Sequence, residues 1–364
     1  MNKEKYTTIH YQDYLDLDKL LDAQNPRSLR VGGQMAHDEM LFIIVHQAYE
    51  LWFKQIIHEL ESIHRIFSTN RIVEKDIGVA VHRLNRVNKI LKLAVQQIGV
   101  LETMTPLDFL DFRDYLFPAS GFQSFQFRVI ETMLGLQDEQ RITYNGEHFT
   151  SAFDKEKQGV FDEILKKGTM LELVEKWLER TPFIQTENYN FLVSYTQSLE
   201  NMLDHESAAI NASEDLNEQQ KKMRLEMLGS SNTYFLTVLD REKHEQLRKK
   251  GELSFSYEAT LAAVFINLYR DEPILRMPYS FLSALQDVDE TLTDWRNRHA
   301  QMVLRMIGKR VGTGGSVGHE YLRETAKRHQ IFSDLNNIST LLIPRSQLIP
   351  LPEKLQKKLG FYFQ

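Results

Sequence analysis

Apolar residues return every three to four positions along most of the 364-residue chain, the period of amphipathic helices. Over about residues 35–67, Met40, Ile43, Ile44, Phe53, Ile56, Leu60 and Ile63 keep that period. The early part, LFIIVHQAYELWF, is apolar enough to predict burial on most helix faces. A second helix is predicted over about 73–98, with Ile77, Val81, Leu84, Val87, Leu91 and Val95 as its stripe. Thr105-Pro106-Leu107-Asp108 has the form of a capping box with Pro at the first helical position, and the helix it starts must stop at Pro118. Ser120-Gly121 predicts a further helix through FQSFQFRVIETML, closed by Gly135.

Residues 140–255 are more polar, with the charge-rich stretch EDLNEQQKKMRLEM, and read as peripheral helices and loops. Helical pattern resumes at Tyr257–Tyr269 and from Pro278 to about Gly308, then a glycine-rich loop precedes two short helices. Strand alternation, internal repeats and low-complexity tracts are not found. The expected fold is all-α, with an N-terminal arm over 1–34 and a helical domain over 35–364.

Composition narrows the chemistry. Hydrophobic residues make up 42% and charged residues 26%, as in ordinary globular proteins. The 44 basic and 50 acidic residues leave a net charge of −6, without the basic excess expected of a protein that neutralises phosphates. No nucleic-acid partner is expected. The chain has no cysteine. Disulfides, Cys-based zinc sites, iron–sulfur clusters and thiolate-ligated haem are thereby excluded, so any metal must be held by His, carboxylate, Tyr or Met. The opening residues have no apolar signal segment, and no apolar run nears the roughly 18 residues of a membrane span. A soluble, cytoplasmic protein without a membrane partner is expected.

Several residues carry candidate chemistry, each beside a plain structural reading. His46 lies in the apolar first helix, one turn after Phe42. It is either a hydrogen-bonded core residue or a polar group offered to a ligand in an apolar cavity. His299 shares a stripe with Trp295, Met302, Val303 and Met306, where a histidine is either core or a metal ligand of the proximal-haem kind. Arg113 lies between Phe109 and Leu116 on one face. It is either paired with a neighbour such as Asp108 or Asp111, or a fork for a ligand carboxylate. Glu61-Ser62-Ile63-His64 is a single Glu-x-x-His, and no second one completes a di-iron set. Gly312–Gly318 lacks the Lys-Ser/Thr of a phosphate loop, leaving flexible backbone and the Thr313 and Ser316 hydroxyls.

Four blocks, YQDYLDLDKLL, HDEMLFIIVHQAYELWFKQIIHELESI, DFRDYLFPASGFQSFQFRVIE and WRNRHAQMVLRMIGKRVGTGGSVGHEYLRET, together resemble the tryptophan 2,3-dioxygenase family. They span both ends of the chain, whereas residues 140–255 match only loosely. The resemblance implies an all-helical homotetramer with one haem b per subunit. It would use O2 to open the indole ring of L-tryptophan and give N-formylkynurenine. It implies that His299 is the axial iron ligand and that Ser120 lies near the haem plane. His46 would sit at the indole nitrogen, Phe42 against the indole, and Ile43, Ile44 and Val45 beside them at the substrate. Arg113 would hold the substrate carboxylate, and Thr313 the ammonium and carboxylate end. Tyr11 and Tyr14 would reach the site of a neighbouring subunit. Some members carry Tyr where this chain has Phe109, so a hydroxyl bond to the carboxylate is missing here. The competing readings are a non-catalytic haem sensor and a haem dioxygenase of broader indole specificity.

Overall fold

A computed structural model describes residues 8–142, 148–310 and 318–360. The chain opens with three short helices, α1 (Tyr11–Leu15), α2 (Leu17–Leu21) and α3 (Arg27–Gly32). The first two bury no side chain. Two long helices follow, α4 (His37–Phe67) and α5 (Glu74–Leu101), packed along each other close to the predicted limits. The capping box of α6 (Pro106–Leu116) is present: the Thr105 hydroxyl accepts from the Asp108 amide at 3.3 Å, and the Asp108 carboxylate accepts from the Thr105 amide at 2.8 Å. Asp108 is thereby spent on the helix end.

The helix predicted from Ser120 is not continuous. Ser120 caps only a single turn at Gly121–Gln123, and the chain breaks at Ser124 before α7 (Phe125–Leu134). The reason is competition for the backbone. The Ser124 hydroxyl accepts from the Phe127 amide and donates to Glu50 on α4 at 2.6 Å, which starts a new helix there. Gly135 ends α7 with φ of +112°, and a Cβ there would lie 2.7 Å from the Leu171 side chain.

The polar middle forms α8 (Lys155–Lys167), α9 (Met170–Glu179), a small antiparallel ribbon of β1 (Gln185–Thr186) and β2 (Tyr189–Asn190), then α10 (Phe191–Ala212), α11 (Glu218–Leu239) and α12 (Arg241–Lys249). It is not simply peripheral. Met170, Leu171, Leu173, Val174 and Leu178 of α9 are buried, as are Phe191, Tyr195 and Leu199 of α10. Dense surface charge hides narrow apolar stripes here.

α13 (Tyr257–Leu268) is buried on nearly every face. α14 (Arg276–Ile307) is the central strut, packing along α5 and α15 (Gly318–Arg328). Its Phe281 stacks on Phe67 of α4 with ring centres 4.5 Å apart, and Trp177 of α9 meets both rings edge-on. Short α16 (Ser333–Ile338) and α17 (Glu353–Leu359) close the described chain. Buried carboxylates tie connections to this frame: Asp289 of α14 accepts from the amides of Ile331 and Phe332. Among the described residues no helix is long and apolar enough to cross a membrane.

Candidate active site

Helical spacing aims one face of α4 into the interior between α6, α7, α14 and α15. Phe42, His46, Tyr49 and Phe53 follow at steps of four, three and four, with Glu50 four after His46, so they project from one face. Opposite them, Trp295, His299, Met302 and Met306 do the same on α14. The two stripes enclose a cavity of about 280 Å³, further walled by Phe109 and Arg113 of α6, Ser120 and Phe127. Its lining is mostly apolar, with a few polar groups converging on it, the general character of a small-molecule site.

The two histidines differ in their bonding. His46 Nδ1 lies 2.7 Å from the Phe42 carbonyl. A carbonyl only accepts, so Nδ1 carries the proton and Nε2 is left as an acceptor when the ring is neutral. Burial among its neighbours lowers the His46 pKa from 6.5, against the raising effects of the Phe42 carbonyl and Glu50. The ring still presents free surface, because that surface faces the cavity. His299 is enclosed more tightly. Burial, then the positive charge that His46 would carry, pushes its pKa down to about 4, so its imidazole is neutral at pH 7. Its Nδ1 is buried without a hydrogen-bond partner among the described residues. A neutral imidazole on an apolar wall is what a metal ligand requires.

Arg113 lies on the cavity wall, its side chain mostly covered, with the exposed Asp114 carboxylate 3.9 Å away. The expected partner Asp108 is occupied by its cap, so Arg113 keeps its place beside the cavity without it. Phe109 stacks toward Phe42 and Phe112 and offers no hydroxyl. Ser120 lines the cavity while capping the turn that follows it.

The structure does not gather every predicted residue. Ile43, Ile44 and Val45 are turned off the cavity wall, because each residue rotates by about 100° around the helix axis. Val45 packs in the core and Ile44 is half exposed. Tyr11 and Tyr14 are exposed and do not line this cavity. Thr313 lies outside the described residues. His64 of the lone Glu-x-x-His sits beside the Gly168 carbonyl at 2.5 Å. Among the described residues no three His or carboxylate groups cluster as a multi-ligand metal site would.

Sequence reading missed one cluster at the cavity's edge. The Glu131 carboxylate of α7 is fully buried and meets Arg128 at 2.7 Å, Arg296 at 2.9 Å, Arg141 at 3.3 Å and His329 at 3.4 Å. Burial works to raise its pKa, but Arg128, His329, Arg296 and Arg141 outweigh it and hold the carboxyl well below the usual range. The available signal was Arg128 and Glu131 at i, i+3 inside the apolar FQFRVIETML.

The sequence pattern of the tryptophan 2,3-dioxygenase family matches residues 1–342. The chain belongs to the tryptophan 2,3-dioxygenase family. Among relatives bearing that family name, one from Bdellovibrio bacteriovorus is 46% identical over 99% of this chain and all of its own length. One from Alteromonas mediterranea is 42% identical with both chains fully covered. One from Dictyostelium discoideum is 44% identical over 97% of this chain and 88% of its own. The match runs through residues 140–255, so the polar middle is part of what the tryptophan 2,3-dioxygenase family shares.

Proposed function

We propose that this chain is an oxygen-inserting enzyme of tryptophan breakdown, adding both atoms of O2 across the indole C2–C3 bond of L-tryptophan to give N-formylkynurenine. Full-length similarity to tryptophan 2,3-dioxygenases supports the reaction. The single structural observation that carries it is one apolar cavity walled by two neutral histidines and Arg113. Haem b is the cofactor this site suits. The fit rests on His299, whose buried Nδ1 is unpartnered and whose ring is held neutral, and on the aromatic and methionine walls. When bound, ferrous haem supplies the binding and activation of O2.

The protein's own share is positioning. His46 Nε2 accepts the indole N–H and fixes which edge of the ring faces the oxygen. Phe42, with its ring centre 4.0 Å from that of His46, gives the indole an apolar face to lie on. Arg113 holds the carboxylate, with Thr313 at the ammonium end. Without a hydroxyl at Phe109, Arg113 and Thr313 carry that recognition between them. Apolar walls keep water from the reacting centre. The assembly we propose is a homotetramer in which the arm bearing Tyr11 and Tyr14 covers a neighbour's site.

A visible spectrum of the purified protein tests this reading. A Soret band that responds to tryptophan under reducing conditions is expected, with product absorbing in the near ultraviolet only when tryptophan, O2 and reductant are all present. His299→Ala should lose turnover and the wild-type haem spectrum. A variant that keeps both would overturn the ligand assignment.

A further inference from the structure

α14 is gripped by the core along its first half, where Phe281, Leu285, Val288 and Leu292 are buried. Along the cavity the grip thins, and Arg296, Ala300 and Met306 are the buried residues that remain. Two arginines flank His299 there. At about 100° per residue, Arg296 projects about 60° to one side of His299 and Arg298 about 100° to the other. Each meets a carboxylate from a different helix: Arg296 meets Glu131 of α7 at 2.9 Å, and Arg298 meets Glu102 just past α5. Ties on both sides of His299 oppose rotation of the helix about its own axis.

The two ties are unequal. The Arg298 side chain is 45% exposed, and so wet an ion pair holds weakly. Arg296 and Glu131 are almost wholly buried, where withdrawing either partner strands the other's charge. Arg296 also donates to the His329 carbonyl at 3.1 Å, which fixes the second arm of its guanidinium. Glu131 is a fixed post for it. Its Oε2 accepts from Arg128 at 2.7 Å and Arg141 at 3.3 Å, which leaves Oε1 for Arg296 and the His329 ring. Arg141 is held in turn by the Thr132 hydroxyl and by Asp138. Two guanidiniums therefore brace the carboxylate, and the third is tied to it. Trp295, next in the chain to Arg296, lies against Phe127 of α7 and against the His299 ring, with ring centres 5.0 Å and 5.1 Å away.

We infer that Glu131 and Arg296 are positioning residues that set the roll of α14 and so aim the His299 imidazole into the cavity. This rests on His299 being the axial ligand of a bound haem. A metal-bound imidazole is ordinarily oriented by a hydrogen bond from its other ring nitrogen. His299 has no such hold, since its Nδ1 is buried without a partner among the described residues. Its direction is left to the backbone that carries it. Arg296 lies three residues away, about 4.5 Å along the helix axis, so the roll it fixes passes to His299 with little room for error.

The test reads the iron–histidine bond rather than turnover. Full-length wild type, Arg296→Gln, Arg296→Lys, Glu131→Asp and Arg298→Gln are loaded with haem. Resonance Raman spectra of the ferrous proteins are recorded, and haem release into excess apomyoglobin is followed by absorbance. Arg296→Gln should shift and broaden the iron–histidine stretch and release haem roughly tenfold faster or more. Arg298→Gln should stay within about twofold of wild type. Arg296→Lys and Glu131→Asp keep both charges and alter only the reach, so they should show smaller changes of the same kind and serve if Arg296→Gln does not fold. The deciding arm detaches the ligand from the helix. In His299→Gly supplied with free imidazole, the same substitutions at Arg296 should change neither the spectrum nor the release rate. A change that persists there would mean that the pair shapes the pocket at large, and would overturn the inference. A wild-type stretch in all three variants of the pair would overturn it too. If the wild-type protein takes up no haem, the haem reading fails on its own, and the NMR signal of the His299 ring in the unloaded protein decides. Movement of that signal by Arg296→Gln but not by Arg298→Gln supports the positioning role, and a signal that neither moves overturns it.

Discussion

Which hydrogen a single imidazole carries decides what His46 can do. The Phe42 carbonyl accepts a hydrogen bond from Nδ1–H, so Nε2 is an acceptor only while the ring is neutral. Burial lowers the His46 pKa below 6.5, which preserves that acceptor at neutral pH. The sign of the pH dependence follows: as pH falls through the lowered pKa, the ring gains a proton, Nε2 becomes a donor, and it no longer matches an indole N–H. Wild-type kcat/KM for tryptophan should therefore drop on the acid side below pH 6.5, and that limb should vanish in His46→Ser. The variant should keep measurable turnover, since one neutral hydrogen bond is worth about 0.5–1.5 kcal/mol. Complete inactivity with haem bound would point to obligatory proton transfer instead. Arg113 makes a sharper difference. Removing a buried charge that pairs with a ligand costs about 2–5 kcal/mol, so Arg113→Ala should raise KM for tryptophan by at least roughly 30-fold. Tryptamine, which lacks the carboxylate, should be a poor substrate of wild type and lose little further. Equal proportional losses for both compounds would contradict the carboxylate role.

The long apolar-periodic helices were legible from sequence because each carries one uninterrupted stripe; α4, α5, α6 and α14 start and stop within a few residues of expectation. Misreadings came where two local preferences compete. Ser124 both caps α7 and bonds Glu50 across to α4, so a stretch that is helical by pattern breaks in two. The polar middle misled because α9 hides its five buried residues among charged neighbours. At the site, Phe42, His46, Arg113 and His299 were legible as polar or aromatic positions on apolar faces. Glu131 was not, since Arg296 and His329 lie more than 160 residues off in sequence and Arg141 lies beyond the end of its helix, so they meet only in the fold. Gly135 shows how tightly the elements are joined. Its φ of +112° disfavours any side chain, and an added Cβ would press on Leu171 of α9. Gly135→Ala should cost about 2–4 kcal/mol from backbone strain and overpacking together. A thermal unfolding midpoint equal to wild type would show that the α7–α9 contact gives way more easily than this.

At the scale of the whole molecule, the N-terminal arm is where the proposed assembly is most open to test. Its root is fixed beside the site: Gln24 donates to the Gln47 side chain at 2.6 Å, and α3 lies on α6 with Gly32 directly against the Tyr115 ring. Its tip is different. Tyr11 is 75% exposed, Tyr14 72% and Leu21 71%, too much apolar surface on five-residue helices to stay ordered in water alone. A second copy of the chain that takes up this tip would bury it and close the neighbour's cavity against water. An arm folded along its own subunit is the competing arrangement, and reassembly separates the two. Oligomers of Arg113→Ala are dissociated and reassembled with oligomers lacking residues 1–20. If the arm acts on a neighbour, a mixed oligomer forms an intact site from two defective subunits: the truncated one supplies Arg113, and the substituted one supplies the arm. If it acts on its own subunit, every site lacks either the clamp or the arm, and mixing restores nothing. Activity should return in proportion to the mixed species, measured alongside native mass spectrometry. Verified mixed oligomers that stay inactive would leave the arm to its own subunit and remove the reason for its exposed tyrosines to serve a neighbour.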